Sequence, residues 1–323
     1  MKKIKVSAPG KLMLLGEHSV VHKHPCIVTA VEQRLYLNMH IIKDDILILN
    51  APDVKVKNYK KPFNKLLQND IPKGALYIET AVKNFSDEYK IDTGISISTN
   101  SEFSSKLGFG SSSASAVCTI KALAEIFGIK ITPRQVFNLA YKTHFDIRGL
   151  SSGFDIAAAV YGKTLFYSKR GEIIKKIDVE SLPLIIGYTK TKAHTADIVE
   201  KVAEKLEKYP NVVNSIFDSI SYLVQKGKKA LLDYDLKLFG DLMNFNQGYL
   251  ESLGVNSLIL SKLVYAARNS GAFGAKLSGA GIGDNMIAVA PKSKMNQIEN
   301  AILNAGGEPI KIKTNVEGVR LEN

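Results

Sequence analysis

Residues 106–117, KLGFGSSSASAV, constrain this chain more than any other stretch, because glycines and serines pass straight into an apolar helical pattern that runs to residue 127. A helix that starts this way leaves backbone N–H groups of its first turn unpaired. With the helix dipole behind them, those groups suit an anion such as phosphate. Spacing excludes two familiar phosphate loops: no Gly-Lys-Ser/Thr follows, as a Walker A loop requires, and Ser113 stands where a dinucleotide-binding loop has its third glycine. A plain glycine turn with a serine N-cap is the other reading of the segment.

Three more stretches carry candidate chemistry. GAKLSGAGIGDNMIAV at 274–289 sets four glycines within ten residues between two apolar strands, which lets backbone approach a ligand or another loop, or simply forms a hairpin. SAPGKLMLLGEHSVVH at 7–22 puts Lys11 after a Pro-Gly turn and Glu17 with His18 at the far end of an apolar strand. These charges are either the solvated ends of the strand or a working set. In the second case Lys11 offers a fixed positive charge to a phosphoryl group, and Glu17 and His18 hydrogen-bond a hydroxylated substrate. GLSSGFDIAAAVYGK at 149–163 matches the nucleophile-elbow expression at Ser151, but a helical pattern precedes it and only His194 lies downstream, which argues against a hydrolase. Asp155 opens the apolar helix that follows, where a carboxylate either caps or orients a substrate hydroxyl.

A length of 323 residues points to two lobes sharing a cleft, and 45% hydrophobic with 23% charged residues is ordinary globular composition. The division falls near 182, giving lobes of 1–182 and 183–323. A net charge of +12 favours anionic ligands. The Lys-rich tracts at 55–61 and 226–229 read as solvated faces, and aromatic RNA-binding motifs are missing, so no nucleic-acid partner is expected. Cys26 and Cys118 fit neither a disulfide framework nor a zinc ribbon, and the basic start lacks the apolar run of a signal peptide or membrane span. The expectation is a cytoplasmic protein without a membrane partner. Among His22, His24, His40 and His144 no pair is spaced to share a metal on one helical face.

The pattern predicts strands through 3–50 with a turn at Asp44 and Asp45, a surface excursion at 52–73, a helix at 75–89 and a strand at 94–99. Helices follow near 112–127 and 133–146, then short strands around 163–168 and 172–178 and an apolar strand, PLIIGYT. Amphipathic helices fill 196–252 and 257–270. Two strands, a helix at 293–304 and a last strand, EPIKIKT, close the chain.

The three glycine-bearing stretches, in this order and with GYTKTKAHTADIV at 187–199 between the second and third, resemble the GHMP kinase superfamily over essentially the whole chain. The first is most similar to the mevalonate kinases, which share its Gly-Glu-His. The resemblance implies an α+β fold of two lobes, a mixed N-terminal lobe and a ferredoxin-like C-terminal lobe, with a cleft between. It implies Lys11 and Asp155 as the catalytic pair. Lys106, Gly108, Phe109, Gly110, Ser111, Ser112 and Ser113 would bind ATP, with Ser112 also a Mg2+ ligand. Glu17, His18, Thr195, Gly279, Ala280 and Gly281 would line the substrate pocket.

Three features depart from that pattern. His144 stands where these kinases usually carry a magnesium-binding Glu, eleven residues before the catalytic Asp. SGFDIAAAVYG and Asp284 are closer to phosphomevalonate kinases. Ser105 and Lys106 replace the usual Pro and Gly before the phosphate loop. The function implied is ATP-dependent phosphorylation of mevalonate to 5-phosphomevalonate in isoprenoid biosynthesis, with a homodimer left open. Phosphomevalonate kinase is the alternative; Lys190, Lys192 and Arg148 are its candidates for a second phosphate pocket. A catalytically inactive nucleotide- or nucleic-acid-binding protein is the reading from another class.

Overall fold

A computed structural model describes residues 2–103 and 108–322. The chain begins with two long antiparallel strands, β1 (Lys3–Leu15) and β2 (Cys26–Ile41), whose alternating apolar residues supply the middle of an eight-stranded sheet. β1 does not break at Pro9-Gly10, as two separate strand signals suggested; it carries a register shift there and continues. Such a bulge re-aims the following side chain, and that side chain is Lys11.

β3 (Ile46–Ala51) and β5 (Ile95–Ser101) run parallel, and β5 lies between β3 and β2. The turn at Asp44 and Asp45 therefore leads away from β2 and makes no hairpin with it. The expected excursion at 52–73 contains a strand, β4 (Val56–Pro62), at the sheet edge beside β3. Its lysines hid it. Lys-rich composition serves equally for a solvated loop and for an edge strand that must not recruit another chain. β6 (Thr164–Ser168) pairs with the first part of β2 and with β7 (Ile173–Ile177).

Four helices cover this sheet: α1 (Leu76–Tyr89), α2 (Ser111–Phe127), α3 (Pro133–Arg148) and α4 (Phe154–Tyr161). α2 packs on β1, β2 and the other three helices. Its small buried residues, among them Ala114, Ala116 and Ala122, let neighbouring backbones come close on every side. α3 starts on a reciprocal Thr132–Gln135 capping box with Pro133 at its first position, which fixes where its inner face, including His144, meets α2.

The second sheet is antiparallel, with β8 (Leu184–Tyr188), β9 (Gly274–Ser278), β10 (Asn285–Val289) and β11 (Glu308–Lys311) in the order β11-β8-β10-β9. Between β8 and β9 run α5 (Thr195–Lys208), α6 (Pro210–Leu232), α7 (Leu236–Ser252) and α8 (Leu258–Asn269); α9 (Met295–Asn304) precedes β11. That order is the ferredoxin-like arrangement. The chain crosses to this sheet between Ile177 and Leu184, yet its last residues return. β12 (Arg320–Leu321) pairs with β1, and the Arg34 guanidinium donates to the carbonyls of Glu317 and Gly318 at 3.0 and 2.7 Å. A division at 182 thus leaves a C-terminal strap on the first lobe, tied by a buried cation whose donors need those carbonyls.

Candidate active site

Lys11 is the best starting point. Its backbone N–H donates to the Phe109 carbonyl at 3.0 Å, and its Nζ donates to the Gly108 carbonyl at 2.9 Å, so the bulged strand and the glycine loop are bound together. Gly110 caps α2 with φ +83°, a left-handed conformation natural to glycine. No side chain caps the helix. The N–H groups of Ser111 and Ser112 have no acceptor among the described residues, which is the open donor pair the sequence implied. Lys106 lies outside the described residues.

Asp155 enters from the first turn of α4. Its Oδ2 accepts the Ser113 hydroxyl at 2.6 Å and its Oδ1 accepts the Ile156 N–H at 3.1 Å. Burial pushes this carboxyl up, but His144, the Ser113 hydroxyl and Lys11 outweigh burial and hold it below its ordinary value. Lys11 is lowered by burial, against the pull of Asp155, Asp284 and Glu17. Ser113, expected on the nucleotide, is 1% exposed and turned under the loop toward Asp155, with His144 Nε2 3.4 Å from its hydroxyl. His144 is buried beneath α2, its ring 4.7 Å from that of Tyr77, and burial lowers its pKa. The Arg148 guanidinium carbon lies 5.5 Å from the centre of the Tyr77 ring.

Glu17 and His18 are close to the site but do not face it as free side chains. Glu17 is 1% exposed, paired with the fully buried Lys276 and hydrogen-bonded by Asn246 Nδ2 at 3.3 Å. Burial raises Glu17 and lowers Lys276, each opposed by the other. His18 Nε2 is 2.9 Å from the Ala280 carbonyl; a carbonyl only accepts, so Nε2 carries the proton. Burial lowers the His18 pKa to about 4, and the ring is neutral at pH 7. The first and third glycine stretches are thus joined across the lobes by Lys276–Glu17, by His18–Ala280 and by Ser278, whose hydroxyl donates to the Met13 carbonyl at 2.8 Å.

The third stretch meets the phosphate loop through Asp284. Its Oδ1 accepts the Ala193 N–H at 2.9 Å, while its Oδ2 faces Gly108, 2.8 Å from where a Cβ on that glycine would stand. Burial raises this carboxyl, against the Ala193 N–H, Lys11, Lys192 and His194. Gly281 is held against the Val255 carbonyl, and Gly279 and Ala280 are half-buried above Lys276. Thr195, at the start of α5, is exposed, two residues beyond Ala193.

The structure therefore brings together Lys11, Gly108, Phe109, Gly110, Ser111, Ser112 and Asp155, and adds Asp284. Sequence reasoning missed the Lys276 pairing. The signal was present: a lysine in GAKLSG, between small and apolar residues of a fully buried strand, needs a buried acid.

Among the described residues no helix is long and apolar enough to cross a membrane, and no three His, Cys, Asp or Glu side chains gather to hold a metal. Two family models match the chain, the GHMP kinases N terminal domain over residues 76–163 and the GHMP kinases C terminal over 228–308. A mevalonate kinase of Thermococcus sibiricus is 36% identical, with 99% of each chain covered. One of Pyrococcus abyssi is 35% identical over 98% of this chain and 97% of the relative. The crystal structure of the Methanococcus jannaschii mevalonate kinase superposes with a TM-score of 0.82 at 26% identity, covering 100% and 99%. With the glycine loop, Lys11 and Asp155 assembled in this fold, and with both family models and full-length relatives matching, the chain belongs to the GHMP kinase family.

Proposed function

We propose that this kinase transfers the γ-phosphoryl group of ATP to mevalonate, giving 5-phosphomevalonate. The observation that carries the reading is the convergence of Lys11 and Asp155 on Gly110, whose notional Cβ lies 3.4 Å from the Lys11 chain and 3.7 Å from the Asp155 Cβ. A phosphate cradle, a fixed cation and a carboxylate occupy one point. The full-length likeness to mevalonate kinases at about 35% identity supports the acceptor.

In this reading the open N–H groups of Ser111 and Ser112 take the nucleotide phosphates, and Lys11 offsets charge that develops on the transferred group. Asp155 accepts the hydrogen bond of the acceptor hydroxyl and takes its proton as the new O–P bond forms and the bond to ADP breaks. Held below the ordinary carboxylate range, Asp155 is a weak base. Its main work is to orient the hydroxyl, which suits a loose transition state in which proton removal comes late.

Mg2+ belongs to the proposal as a cation carried in on the nucleotide. The Ser112 hydroxyl is the hard oxygen donor that the loop offers such an ion, which usually needs only one or two carboxylates besides phosphates and water. When bound it would neutralise charge on the phosphate oxygens. His144, already turned into the Ser113–Tyr77 cluster, offers no such oxygen.

His18, Thr195, Gly279, Ala280 and Gly281 stay in the proposal as the border of the acceptor pocket. Glu17 is neutralised by Lys276, so its charge does not discriminate against a substrate phosphate. The acceptor preference rests on the relatives. We place the protein in the cytoplasm, with a homodimer left open. The test is an ATP-coupled assay with mevalonate, 5-phosphomevalonate, homoserine and galactose; mevalonate should give the highest kcat/KM by at least about tenfold, about 1.4 kcal/mol. A better rate with 5-phosphomevalonate makes the alternative correct.

A further inference from the structure

We propose that Asp284 is a carboxylate ligand for the divalent cation that accompanies the nucleotide, supplied from the second lobe to the side of the phosphate loop opposite Asp155. The inference rests on the nucleotide-binding part of the kinase reading.

Asp284 is 8% exposed. One carboxylate oxygen is committed to the Ala193 N–H; the other, Oδ2, has no hydrogen-bond partner among the described residues and is set against Gly108. Oδ2 is thus an acceptor left available to a ligand beside the loop. Here it is also held firmly, since the Asp284 carbonyl accepts both the Thr189 N–H and its hydroxyl at 2.9 Å, and the Asp284 N–H donates to Thr191 at 2.7 Å. The backbone itself is left-handed, with φ +53° at Asp284 and +61° at Ile282, a conformation that costs free energy at a non-glycine residue and survives only where its surroundings impose it.

The placement is electrostatically wrong for a site that holds only phosphate. Phosphate oxygens cradled at Gly108 to Ser112 would face the Asp284 oxygen directly, anion against anion. Lys11 alone cannot resolve this, because its Nζ already donates to the Gly108 carbonyl. A hard divalent cation between the phosphates and Asp284 turns the repulsion into ligation, and a carboxylate with one free oxygen is the donor that Mg2+ or Mn2+ accepts. Asp155 and Asp284 then flank the two ends of the loop, Asp155 at Gly110 and Asp284 at Gly108.

The test is an equilibrium measurement on the full chain with a non-hydrolysable ATP analogue. Mn2+ binding is followed by the electron paramagnetic resonance of free Mn2+, and analogue binding is measured by calorimetry with Mn2+ and with EDTA. Asp284→Asn keeps the oxygen that accepts the Ala193 N–H, and asparagine tolerates a left-handed backbone. The expected result has opposite signs: Mn2+ affinity for the enzyme–analogue complex falls at least about tenfold, whereas metal-free analogue binds the variant as well as or several-fold better than wild type. Asp284→Glu should recover part of the Mn2+ affinity. An unchanged Mn2+ affinity overturns the proposal, as does a parallel loss of both affinities, which a purely structural role would give. Tighter binding in both conditions also overturns it, since Asp284 would then merely oppose phosphate. If wild type binds no analogue under either condition, the kinase reading fails and takes the proposal with it.

Discussion

Removing the amine of Lys276 probes how the two lobes are joined, and Lys276→Met does so with little loss of volume. The pair it breaks is sealed, with Lys276 at 0% and Glu17 at 1% side-chain exposure. In the variant, Glu17 keeps the Asn246 amide at 3.3 Å and a backbone N–H but no ion-pair partner among the described residues. Breaking one side of a buried pair costs about 3–5 kcal/mol, because the remaining charge is stranded, against a total stability of roughly 5–15 kcal/mol for a domain. Glu17 escapes by taking up a proton. Burial already raises its carboxyl, and losing Lys276 raises it further. A group whose folded pKa lies above its unfolded value contributes stability below the unfolded pKa and loses it as pH rises through the folded one. Urea unfolding of the variant should therefore show stability increasing as pH falls from about 8 to 5, by up to about 1.4 kcal/mol per unit for one proton. Adding Glu17→Gln should abolish that slope and return part of the loss. A Lys276→Met protein within about 1 kcal/mol of wild type, or one whose deficit is flat with pH, would refute the reasoning.

Asp155→Asn should reduce kcat by about 10²–10⁴-fold and leave the nucleotide Kd within a few-fold, measured by steady-state kinetics and calorimetry; normal turnover would remove Asp155 from the mechanism. Ser113→Ala deletes a hydrogen bond to the ionised form of Asp155, so the acid limb of the kcat–pH profile should move to higher pH, and an unmoved limb would mean that Asp155 does not set it. His18, lowered to about 4 from 6.5, is buried neutral. Its contribution is present above pH 6.5 and is lost as pH falls toward 4, about 3 kcal/mol in all, and urea titrations of His18→Asn should lack that slope.

Much of the site could be read along the chain because its parts are local. A glycine loop running into a helix exposes N–H groups wherever it occurs, and Lys11 and Asp155 stand next to signals of their own, a Pro-Gly turn and the opening of an apolar helix. Helix periodicity likewise gave α1, α2, α3, α8 and α9 to within a few residues and the region of α5 to α7 as one undivided stretch, since 3.6-residue spacing is written in the segment itself. Strand partnership is not written there. β4 looked like a solvated loop, β5 slipped between β2 and β3, and β12 returned to β1, because pairing depends on which distant edge is free.

The same distinction separates residue type from residue role. Sequence named Glu17, Ser113 and Asp284 as polar groups beside glycine stretches, but a side chain works on whatever its neighbours leave it. Packing turned Ser113 toward Asp155, sealed Glu17 against a lysine 259 positions away, and left one oxygen of Asp284 facing the phosphate loop. Desolvation and Coulomb interactions act through space over a few ångströms. Those distances are set when the second lobe closes on the first, and only the tertiary structure contains them.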